Sequence, residues 1–403
     1  MRHVFIIGSK GIPARYGGFE TFVDKLTEYH TGESITYHVS CKVPWNVHKK
    51  NFIYHNAECF NIRVPNMGAM QAVYYDVAAF EYCLAYIKKH NIQGAIVYVL
   101  ACRIGYAIHS LKARLKKLGG YLYINPDGHE WQRAKWNRLV KQYWKLSERK
   151  MVKHADLLVC DSVSIDQYIR ENYRKYHPET IYIAYGAEIV HPDSKMDAVL
   201  EKWFQENGVT PGEYYLVVGR FVPENNYETM LREFMKTKTK KKFVLIANLE
   251  QNRFYQELRE KTHFDTDSRI QFVGTVYDTE LLKGIRTHAC GYIHGHEVGG
   301  TNPSLLEALG ATNVNLLLDV CFNREVALDS AIYWTKREGS LAAAIEETEK
   351  MTDEKREWFS EKAKKRIQEA FSWEHIAAEY EAIFRESGQS ESVCAESRGK
   401  TGR

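Results

Sequence analysis

Short runs of Val, Ile, Leu and Tyr recur along this chain, with longer amphipathic stretches between them. Runs that are apolar throughout are typical of strands buried on both faces, and helical stretches between such strands indicate parallel sheets. In the first half the predicted strands are Val4–Ile7, Ile35–Val39, Ala95–Leu100, Tyr121–Asn125, Leu157–Cys160 and Ile181–Ala184. In the second half they are Tyr214–Val218, Phe243–Ala247, Ile270–Val273, Gly291–His294 and Val314–Leu318. The pattern predicts an α/β fold with doubly wound parallel sheets.

The length of the chain predicts two domains. A chain of 403 residues exceeds one ordinary core, and its hydrophobic content of 44% supports two. We expect residues 1–190 to form the first domain and 191–371 the second, with a hinge near 187–212, a segment without an apolar run. A helix is predicted over 372–386, and the polar tail 387–403 is predicted to be disordered.

Composition narrows the classes of function. The chain has no apolar run of about 18 residues and no signal-peptide pattern, so we expect a cytoplasmic protein. Its eight cysteines are scattered without metal-ligand spacing, which predicts reduced thiols and no metal site. A net charge of +4 does not indicate a binder of polyanions, and two nucleotide-type sheets argue against a nucleic-acid partner.

The segment His294–Leu309 joins a predicted buried strand to a helix through a loop rich in glycine and small hydroxyl side chains. Because the helix is predicted to begin near Pro303, free backbone N–H groups should face a crevice and bind an anion. Glu307 lies further along the helix, where its carboxylate can reach a hydroxyl at the helix mouth. A phosphate and a ribose together describe a nucleotide. The alternative is a capped helix with a solvated glutamate.

Three other segments carry candidate chemistry. The pair Gly17 and Gly18 directly precedes an amphipathic helix, which lets the backbone approach a ligand, although a structural turn is the alternative. Arg220 follows a strand, where a guanidinium can pair with diphosphate oxygens. Asp127 follows another strand on a Pro/Gly turn and is a candidate to accept a proton or to position a hydroxyl. The alternative role for Asp127 is to stabilise its own turn.

A basic and aromatic stretch occupies residues 131–154. Four of its cationic side chains recur at helical spacing, with apolar and aromatic residues between them: Arg138, Lys141, Lys145 and Arg149. This composition, which includes Trp144, is typical of a helix that rests on anionic lipid. A solvated basic helix is the alternative.

Taken in order, these segments resemble a GT-B glycosyltransferase of the large retaining family 4, and most closely its bacterial rhamnosyltransferase branch. The motifs that carry the resemblance are Gly11–Thr21, Asn125–Trp131 with 133–136, Tyr185–Ala187, Gly219–Arg220 with Pro223–Asn226, and His296–Glu307. The resemblance extends from residue 2 to about residue 386. It implies two Rossmann-like domains that face a cleft, and a C-terminal helix that crosses back to the first domain.

The resemblance also implies roles for individual residues. Glu307 matches the second of two family glutamates, whereas the first falls on Gly299 and a usual lysine falls on Asn225. The implied donor-binding residues are Gly17, Gly18, Arg220, Glu224, Asn225, Gly300, Thr301, Asn302 and Glu307. The implied acceptor-binding residues are Arg15, Tyr16, Glu20, His129, Glu130 and Arg133. Asp127 and Arg220 are the implied catalytic residues.

The implied reaction transfers L-rhamnose from dTDP-rhamnose to a lipid-linked, undecaprenyl-diphosphate sugar, with retention and without a metal or other cofactor. The partners would be a nucleotide sugar, a lipid-linked glycan acceptor and the anionic inner-membrane surface, which the basic stretch would contact from the cytoplasmic side. One alternative is the same fold with UDP-glucose or UDP-N-acetylglucosamine as donor. Another is a non-catalytic subunit that binds a sugar nucleotide, which the missing acid and the missing lysine would favour.

Overall fold

The computed structural model describes residues 1–14, 17–128, 130–132, 136–190, 198–249, 253–298 and 300–386. The chain divides into two compact units. Unit 1 comprises Met1–Trp131, Trp136–Ala184 and the chain from Trp373, and unit 2 contains Tyr185–Ser372. The sequence places the corresponding boundaries at 190/191 and 371/372. The predicted disordered tail, 387–403, lies outside the described residues.

Unit 1 contains a sheet to which the described residues contribute eight strands. They are β1 (Arg2–Ile7), β2 (Ile35–Pro44), β3 (Phe52–Tyr54), β4 (Ala57–Val64), β5 (Ile96–Leu100), β6 (Tyr121–Asn125), β7 (Leu157–Cys160) and β8 (Thr180–Tyr182). Their order is β3-β4-β2-β1-β5-β6-β7-β8, and every pairing is parallel except the hairpin of β3 and β4. The helices before residue 185 are α1 (Gly18–Glu28), α2 (Gln71–Lys89), α3 (Ile108–Lys117), α4 (Arg138–His154) and α5 (Val163–Asn172).

Unit 2 contains a parallel sheet with the order β11-β10-β9-β12-β13-β14. Its strands are β9 (Tyr214–Val218), β10 (Lys242–Ile246), β11 (Ile270–Phe272), β12 (Gly291–His294), β13 (Asn315–Leu318) and β14 (Ile332–Trp334). Its helices are α6 (Ala198–Asn207), α7 (Tyr227–Lys236), α8 (Arg253–Thr262), α9 (Thr279–Thr287), α10 (Pro303–Ala311), α11 (Cys321–Ala327), α12 (Ser340–Glu349) and α13 (Asp353–Ala370).

The last described helix, α14 (Trp373–Glu386), packs on unit 1. The Tyr380 hydroxyl lies 3.2 Å from that of Tyr98 on β5, and Glu381 Oε1 lies 2.5 Å from His30 Nδ1. Phe384 is fully buried among aromatic side chains of the sheet. The prediction that the C-terminal helix returns to the first domain is therefore confirmed.

The apolar runs explain the parallel sheets. Every residue of β5 and the last four of β1 are fully buried, as expected when helices cover both faces of a sheet. Each predicted strand is present, with ends that differ by a few residues at most positions. The sequence does not predict β3, β4 and β14, because β3 and β14 are very short and β4 alternates apolar residues with exposed Glu58 and Arg63. The predicted α/β fold with two doubly wound domains is confirmed.

The described residues contain no helix long and apolar enough to cross a membrane. They also contain no group of three or more His, Cys, Asp or Glu side chains that could hold a metal ion. The described cysteines are free thiols: Cys41, Cys59, Cys83, Cys102, Cys160, Cys290 and Cys321.

Candidate functional site

The strand order of unit 2 reverses between β9 and β12, since β10 and β11 lie on one side and β13 and β14 on the other. In sheets of this kind, ligands bind beyond the carboxyl ends of the two strands at the reversal. Arg220 follows β9 and is exposed, and the loop that leads to α10 follows β12. We call this place the β9–β12 edge.

The first turn of α10 is already capped at this edge. Asn302 is the N-cap, and its Oδ1 accepts a hydrogen bond of 2.9 Å from the Ser304 N–H. Pro303 has no N–H, and the amides of Leu305 and Leu306 donate to the Asn302 carbonyl. The predicted anion site therefore does not consist of free N–H groups of the helix itself. The amides left without a hydrogen-bond partner among the described residues belong to Gly300, Thr301 and Asn302, just before the helix.

A group of side chains that are hydrogen-bonded to one another lies beneath the turn before α10. The hydroxyls of Tyr292 and Ser304 lie 3.1 Å apart, and each lies 3.2 Å from the carbonyl oxygen of Val218, the last residue of β9. The Tyr292 hydroxyl also lies 3.3 Å from His294 Nδ1. Burial and then His296 lower the pKa of His294 well below its ordinary value, so this imidazole is neutral. These side chains, which form the floor of the β9–β12 edge, are thus uncharged themselves.

A buried arginine holds the predicted ribose-binding acid. Arg286 on α9 has a side chain only 3% exposed, and its Nη2 lies 2.6 Å from Glu307 Oε2, whose side chain is 38% exposed. The same Nη2 donates to Ser304 Oγ at 3.2 Å. Glu307 is thus partly exposed, but Arg286 fixes its Oε2 and balances its charge. The sequence analysis missed Arg286, because an arginine near the end of an amphipathic helix normally lies in solvent.

Asn225, a predicted donor-binding residue, has an internal role. Its Nδ2 donates to the Arg220 carbonyl at 2.8 Å, and its Oδ1 lies 2.6 Å from His296 Nδ1. Asn226 donates to the Gly295 carbonyl at 2.8 Å. These bonds tie the loop after β9 to the loop after β12, so the amide of Asn225 is not left for a ligand.

Glu224, which precedes this pair, is buried. One of its carboxylate oxygens, Oε2, has no hydrogen-bond partner among the described residues, and its carbonyl accepts from the Glu297 N–H at 3.2 Å. A buried carboxylate oxygen without a partner is uncommon and is able to accept a hydroxyl. The donor-binding role of Glu224 stays a prediction.

Unit 1 has a corresponding reversal between β1 and β5, which we call the β1–β5 edge. Gly8 follows β1 with a φ of 101°, and a Cβ there would lie 2.4 Å from the Leu100 carbonyl oxygen. Arg103 Nη1 donates to the Gly8 carbonyl at 2.7 Å and to Asp76 Oδ2 at 3.2 Å. Burial raises the pKa of Asp76 to about 6, although Arg103 acts in the opposite direction. The sequence analysis did not identify this pair, because its members lie on separate elements.

Asp127 also lies at this end of the sheet, after β6. It adopts a φ of 57°, and its Oδ1 accepts from the Gly128 N–H at 2.9 Å, so it stabilises its own turn as the alternative role requires. Burial would lower the pKa of Arg103, but Asp76 and Asp127 together raise it. Asp127 therefore lies within electrostatic range of Arg103.

The opening loop of unit 1 is held by acids of α1. Gly17 is the N-cap with a φ of 127°, and Gly18 begins the helix. Glu20 Oε1 accepts from the Lys10 N–H at 2.7 Å, and its Oε2 lies against Gly17, where a Cβ would clash. Glu20 thus shapes the loop from inside, which differs from its predicted acceptor-binding role. In the loop after β6, Glu130 Oε1 accepts from Trp136 Nε1 at 2.9 Å. The predicted acceptor residues Arg15, Tyr16, His129 and Arg133 lie outside the described residues.

Part of the basic face of α4, the predicted membrane-binding helix, contacts other side chains of the protein. Lys145 Nζ lies 3.3 Å from Glu148 Oε1 and 4.3 Å from the centre of the Trp131 ring, and Arg149 Nε donates to the Tyr176 hydroxyl at 2.7 Å. Trp144 is half-buried, with its ring centre 6.0 Å from that of Trp136.

The solvent side of α4 contains residues that the sequence analysis did not select. Arg138 is exposed and Lys141 is half-buried, as part of the predicted surface. The most exposed apolar side chains of the helix are Leu139 at 76% and Leu146 at 50%. Met151, on the opposite side of the helix, is fully buried in the core. The exposed side of α4 therefore presents leucine and cationic side chains, rather than tryptophan and cationic side chains.

Comparisons with known proteins concern family and fold. Residues 1–188 match a family model described as a domain of unknown function, DUF1972. No curated protein matches the chain. Solved structures do match. The sucrose-phosphate synthase of Thermosynechococcus elongatus is 16% identical with a TM-score of 0.73, over 96% of this chain and 98% of that one. A glycosyltransferase of Rickettsia africae is 14% identical with a TM-score of 0.71, over 96% and 98%.

A further match is Anabaena HepE in complex with UDP, which is 12% identical with a TM-score of 0.66, over 96% of this chain and 100% of that one. These neighbours are GT-B glycosyltransferases that match along nearly their whole lengths. Identities this low concern the fold alone. The predicted GT-B fold is confirmed.

Proposed function

We propose that this protein is a retaining hexosyltransferase that moves L-rhamnose from dTDP-rhamnose to a lipid-linked, undecaprenyl-diphosphate sugar in bacterial capsular or cell-wall polysaccharide synthesis. The observation that carries the enzymatic part is the pairing of buried Arg286 with Glu307 at the start of α10. A buried guanidinium that fixes a half-exposed carboxylate, beside backbone amides that have no hydrogen-bond partner within the described part of the chain, suits a ligand with both hydroxyls and phosphates.

The donor would bind at the β9–β12 edge in two parts. Glu307 Oε1 accepts ribose hydroxyls, since Arg286 holds Oε2. The diphosphate lies against the amides of Gly300, Thr301 and Asn302, at the positive end of the α10 dipole, and pairs with exposed Arg220. The neutral floor of Tyr292 and Ser304 orients these groups without adding a competing anion.

In the proposed reaction the bond between the sugar C1 and the diphosphate oxygen breaks, and the acceptor hydroxyl oxygen forms a new bond to C1 on the same face. Negative charge grows on the leaving diphosphate, where Arg220 and the amides are already oriented, and preorganised donors of this kind lower the barrier. The acceptor proton passes to an oxygen of the leaving diphosphate. The proposal includes no metal or other cofactor.

A direct test is transfer itself. The purified protein is incubated with dTDP-rhamnose and a short-chain polyprenyl-diphosphate glycoside, and the product is weighed by mass spectrometry. A gain of one deoxyhexose is expected, and it should disappear in Arg220→Ala and Glu307→Ala. A protein that binds nucleotide tightly but transfers nothing to any lipid acceptor would instead be the non-catalytic binding subunit, which the engaged side chain of Asn225 favours.

A UDP-sugar donor is the second candidate. HepE is seen with UDP, and the trehalose-6-phosphate synthase of E. coli, a match with a TM-score of 0.67 at 12% identity, is seen with UDP-2-fluoro glucose. Competition between dTDP and UDP for the free protein separates the candidates. We expect dTDP to protect better, and stronger protection by UDP would favour UDP-glucose or UDP-N-acetylglucosamine as donor.

We further propose that the protein is peripheral on the cytoplasmic face of the membrane, through the solvent side of α4. Leucine side chains beside Arg138 and Lys141 suit the boundary between lipid head groups and acyl chains. Flotation with anionic vesicles should weaken as salt is raised, and it should weaken in Leu139→Ser with Leu146→Ser. Val163→Ser, an exposed apolar residue on α5, is the matched control. Equal recovery with and without salt would contradict the proposal.

A further inference from the structure

A cavity of about 490 Å³ lies within unit 1, beside the carboxyl end of β2. Its polar and aromatic lining consists of Lys10, Lys42, Trp45, Asn46, Asn66 and Gln71. Buried Val43 and Val64 form part of its wall. The volume falls within the range of small-molecule sites, about 300 to 1,000 Å³. None of these side chains belongs to the β9–β12 edge of unit 2, so the cavity is a separate feature of the molecule.

Two lysine residues, Lys10 and Lys42, line the cavity. The Lys42 N–H donates to the Lys10 carbonyl at 2.9 Å, which holds the two residues side by side. Lys42 Nζ donates to Gln71 Oε1 at 2.9 Å, and Gln71 in turn donates to Asn66 Oδ1 at 3.0 Å. Among the described residues, neither lysine forms an ion pair. The ammonium of Lys42 is therefore positioned by a neutral amide.

The neighbouring acids are already occupied. Asp76 is paired with Arg103, and the carboxylate of Glu20 faces the backbone of the opening loop. Burial, Lys10 and Arg103 lower the pKa of Lys42, and Asp76 partly opposes them. A lysine whose positive charge is disfavoured by its neighbours gains most when an anion enters beside it. The electrostatics of the cavity therefore favour a ligand with at least one negative charge.

An aromatic ring completes the cavity. Trp45 is 54% exposed, and the Arg63 guanidinium carbon lies 5.4 Å from its ring centre. A large flat ring with one end in solvent offers apolar contact at a small entropic cost. The apolar C–H face of a pyranose fits against such a ring, while the hydroxyls of the sugar find amide partners in Asn46 and Asn66.

We propose that this cavity binds the phosphate or diphosphate of a phosphorylated sugar, with Lys10 and Lys42 on the anion and Trp45 on the ring. The inference rests on the proposed function insofar as this ligand is the acceptor of the transfer. Arg103 and Asp76 act on the pKa of Lys42, so the cavity adjoins the β1–β5 edge. The same chemistry is offered by a soluble sugar phosphate and by the head group of a lipid-linked sugar.

Calorimetric titration with defined probes tests the site. The probes are glucose 1-phosphate, a short-chain polyprenyl-diphosphate N-acetylglucosamine, and glucose as the uncharged reference. Binding of either phosphorylated probe, tighter than glucose and weakened about tenfold in Lys42→Met, is the expected result. The probe that binds more tightly identifies the source. If neither phosphorylated probe binds better than glucose, or if Lys42→Met binds like the wild type, the proposal is overturned.

Matched variants separate the site from general effects. Lys89→Met removes one exposed lysine of α2, and it should leave the affinity for both probes unchanged. Lys42→Arg keeps the charge and should retain most of the binding. Trp45→Ala should weaken the sugar phosphate, whereas Trp358→Ala should not, although Trp358 is 45% exposed and also has a cation, Lys362, over its ring. Thermal unfolding of each variant shows whether the fold is intact.

A parallel titration with dTDP or UDP keeps the two proposals distinguishable. The Lys42 and Trp45 variants should bind nucleotide like the wild type, because these residues do not belong to the β9–β12 edge, where the nucleotide is proposed to bind. A protein that binds nucleotide and transfers sugar without a Lys42-dependent phosphate site keeps the proposed function and loses this inference. A protein with that phosphate site but without nucleotide binding keeps the inference and loses the proposed function.

Discussion

The β1–β5 edge and the β9–β12 edge occupy the same topological position in their sheets, yet they present different chemistry. At the β1–β5 edge the charges are on side chains: Arg103 and Asp76 are paired beneath the Gly8 turn, with a lysine-lined cavity beside them. At the β9–β12 edge the floor is neutral, and the polar groups for a ligand are backbone amides and one positioned acid, Glu307.

The difference shows what topology does and does not decide. Parallel strands that diverge leave a crevice at their carboxyl ends, so both units have a place for a ligand. What the crevice accepts depends on side chains that come from neighbouring helices, such as Arg286 from α9 and Asp76 from α2. A carboxylate held in place beside backbone amides suits a nucleotide diphosphate with its ribose. Lysine side chains that form no ion pair among the described residues suit an anionic acceptor.

The largest effect should come from Arg286→Met. It leaves Glu307 and Ser304 without their buried partner, so we expect the free energy of unfolding to fall on the order of 3 kcal/mol. Nucleotide affinity should fall at least about tenfold, because Glu307 is no longer held. Chemical unfolding and nucleotide titration measure the two effects. Arg232→Met, which breaks an exposed pair with Glu228, is the control and should change stability by less than about 1 kcal/mol.

Glu307→Gln tests the same dependence of nucleotide binding on Glu307, because it keeps the shape of the side chain and removes its negative charge. If Arg286→Met bound nucleotide as well as the wild type, the acid at the β9–β12 edge would not need positioning. The contrast drawn between the two edges would then lose its basis.

A second prediction concerns how closely the backbone packs at each edge. In Gly8→Ala the new methyl group would clash with the Leu100 carbonyl, and the φ of 101° is strained for alanine, so we expect a loss of about 2 kcal/mol. In Gly295→Ala the methyl group would lie 2.5 Å from the Asn225 carbonyl oxygen, but the residue is not among those with a positive φ, so we expect about 1 kcal/mol. Urea unfolding of both variants measures the order. The reverse order would show that the tighter edge is in unit 2.

The sequence predicts the positions of the edges well and their internal partners poorly. Strand ends follow from apolar runs, so the sequence predicts that Arg220 and the turn before α10 come directly after buried strands, and the structure has them after β9 and β12. Arg286 was missed because a residue on another helix meets Glu307 only after the chain folds. Asn225 was assigned to the donor, yet its partner His296 comes from a distant loop.

The cavity of unit 1 illustrates the same limit. Lys42 ends a strand, Gln71 begins a helix and Lys10 lies in the opening loop, so no local pattern joins them. The strand β4, which supplies one wall through Val64, was itself missed because it alternates polar and apolar residues. Edge strands with exposed charges look like loops when strands are identified by continuous apolar runs.

A third prediction compares buried histidines of the two sheets. Burial, with His3 and His90, lowers the pKa of His38 in unit 1 to about 3, although Glu58 lies 3.1 Å away. The unfolded chain takes up a proton below about pH 6.5 and the folded chain does not until near pH 3, so stability falls as the pH falls through this window. One such group contributes about 1.4 kcal/mol per pH unit.

We therefore expect His38→Gln to reduce the loss of stability between pH 6.5 and pH 5, measured by urea unfolding at each pH. His294 in unit 2, whose pKa burial lowers well below its ordinary value, should behave in the same direction in His294→Gln. If His38→Gln kept the pH dependence of the wild type, His38 would be protonated in the folded protein. Glu58 would then lie beside a charged imidazole in the folded protein.

The smallest change in stability, and the sharpest separation of fold from ligand binding, is expected at Asn302. Asn302→Ala removes the cap of α10 and should cost about 1 kcal/mol. Asn302→Asp keeps a cap of equal quality at a helix start that favours negative charge, so the unfolding curve should be unchanged or shifted to higher denaturant. A diphosphate bound at the adjacent amides would be repelled by the new carboxylate, so nucleotide affinity should fall although stability does not. Equal affinity of Asn302→Asp and the wild type would place the phosphates away from α10, because a like charge in contact with them cannot be silent.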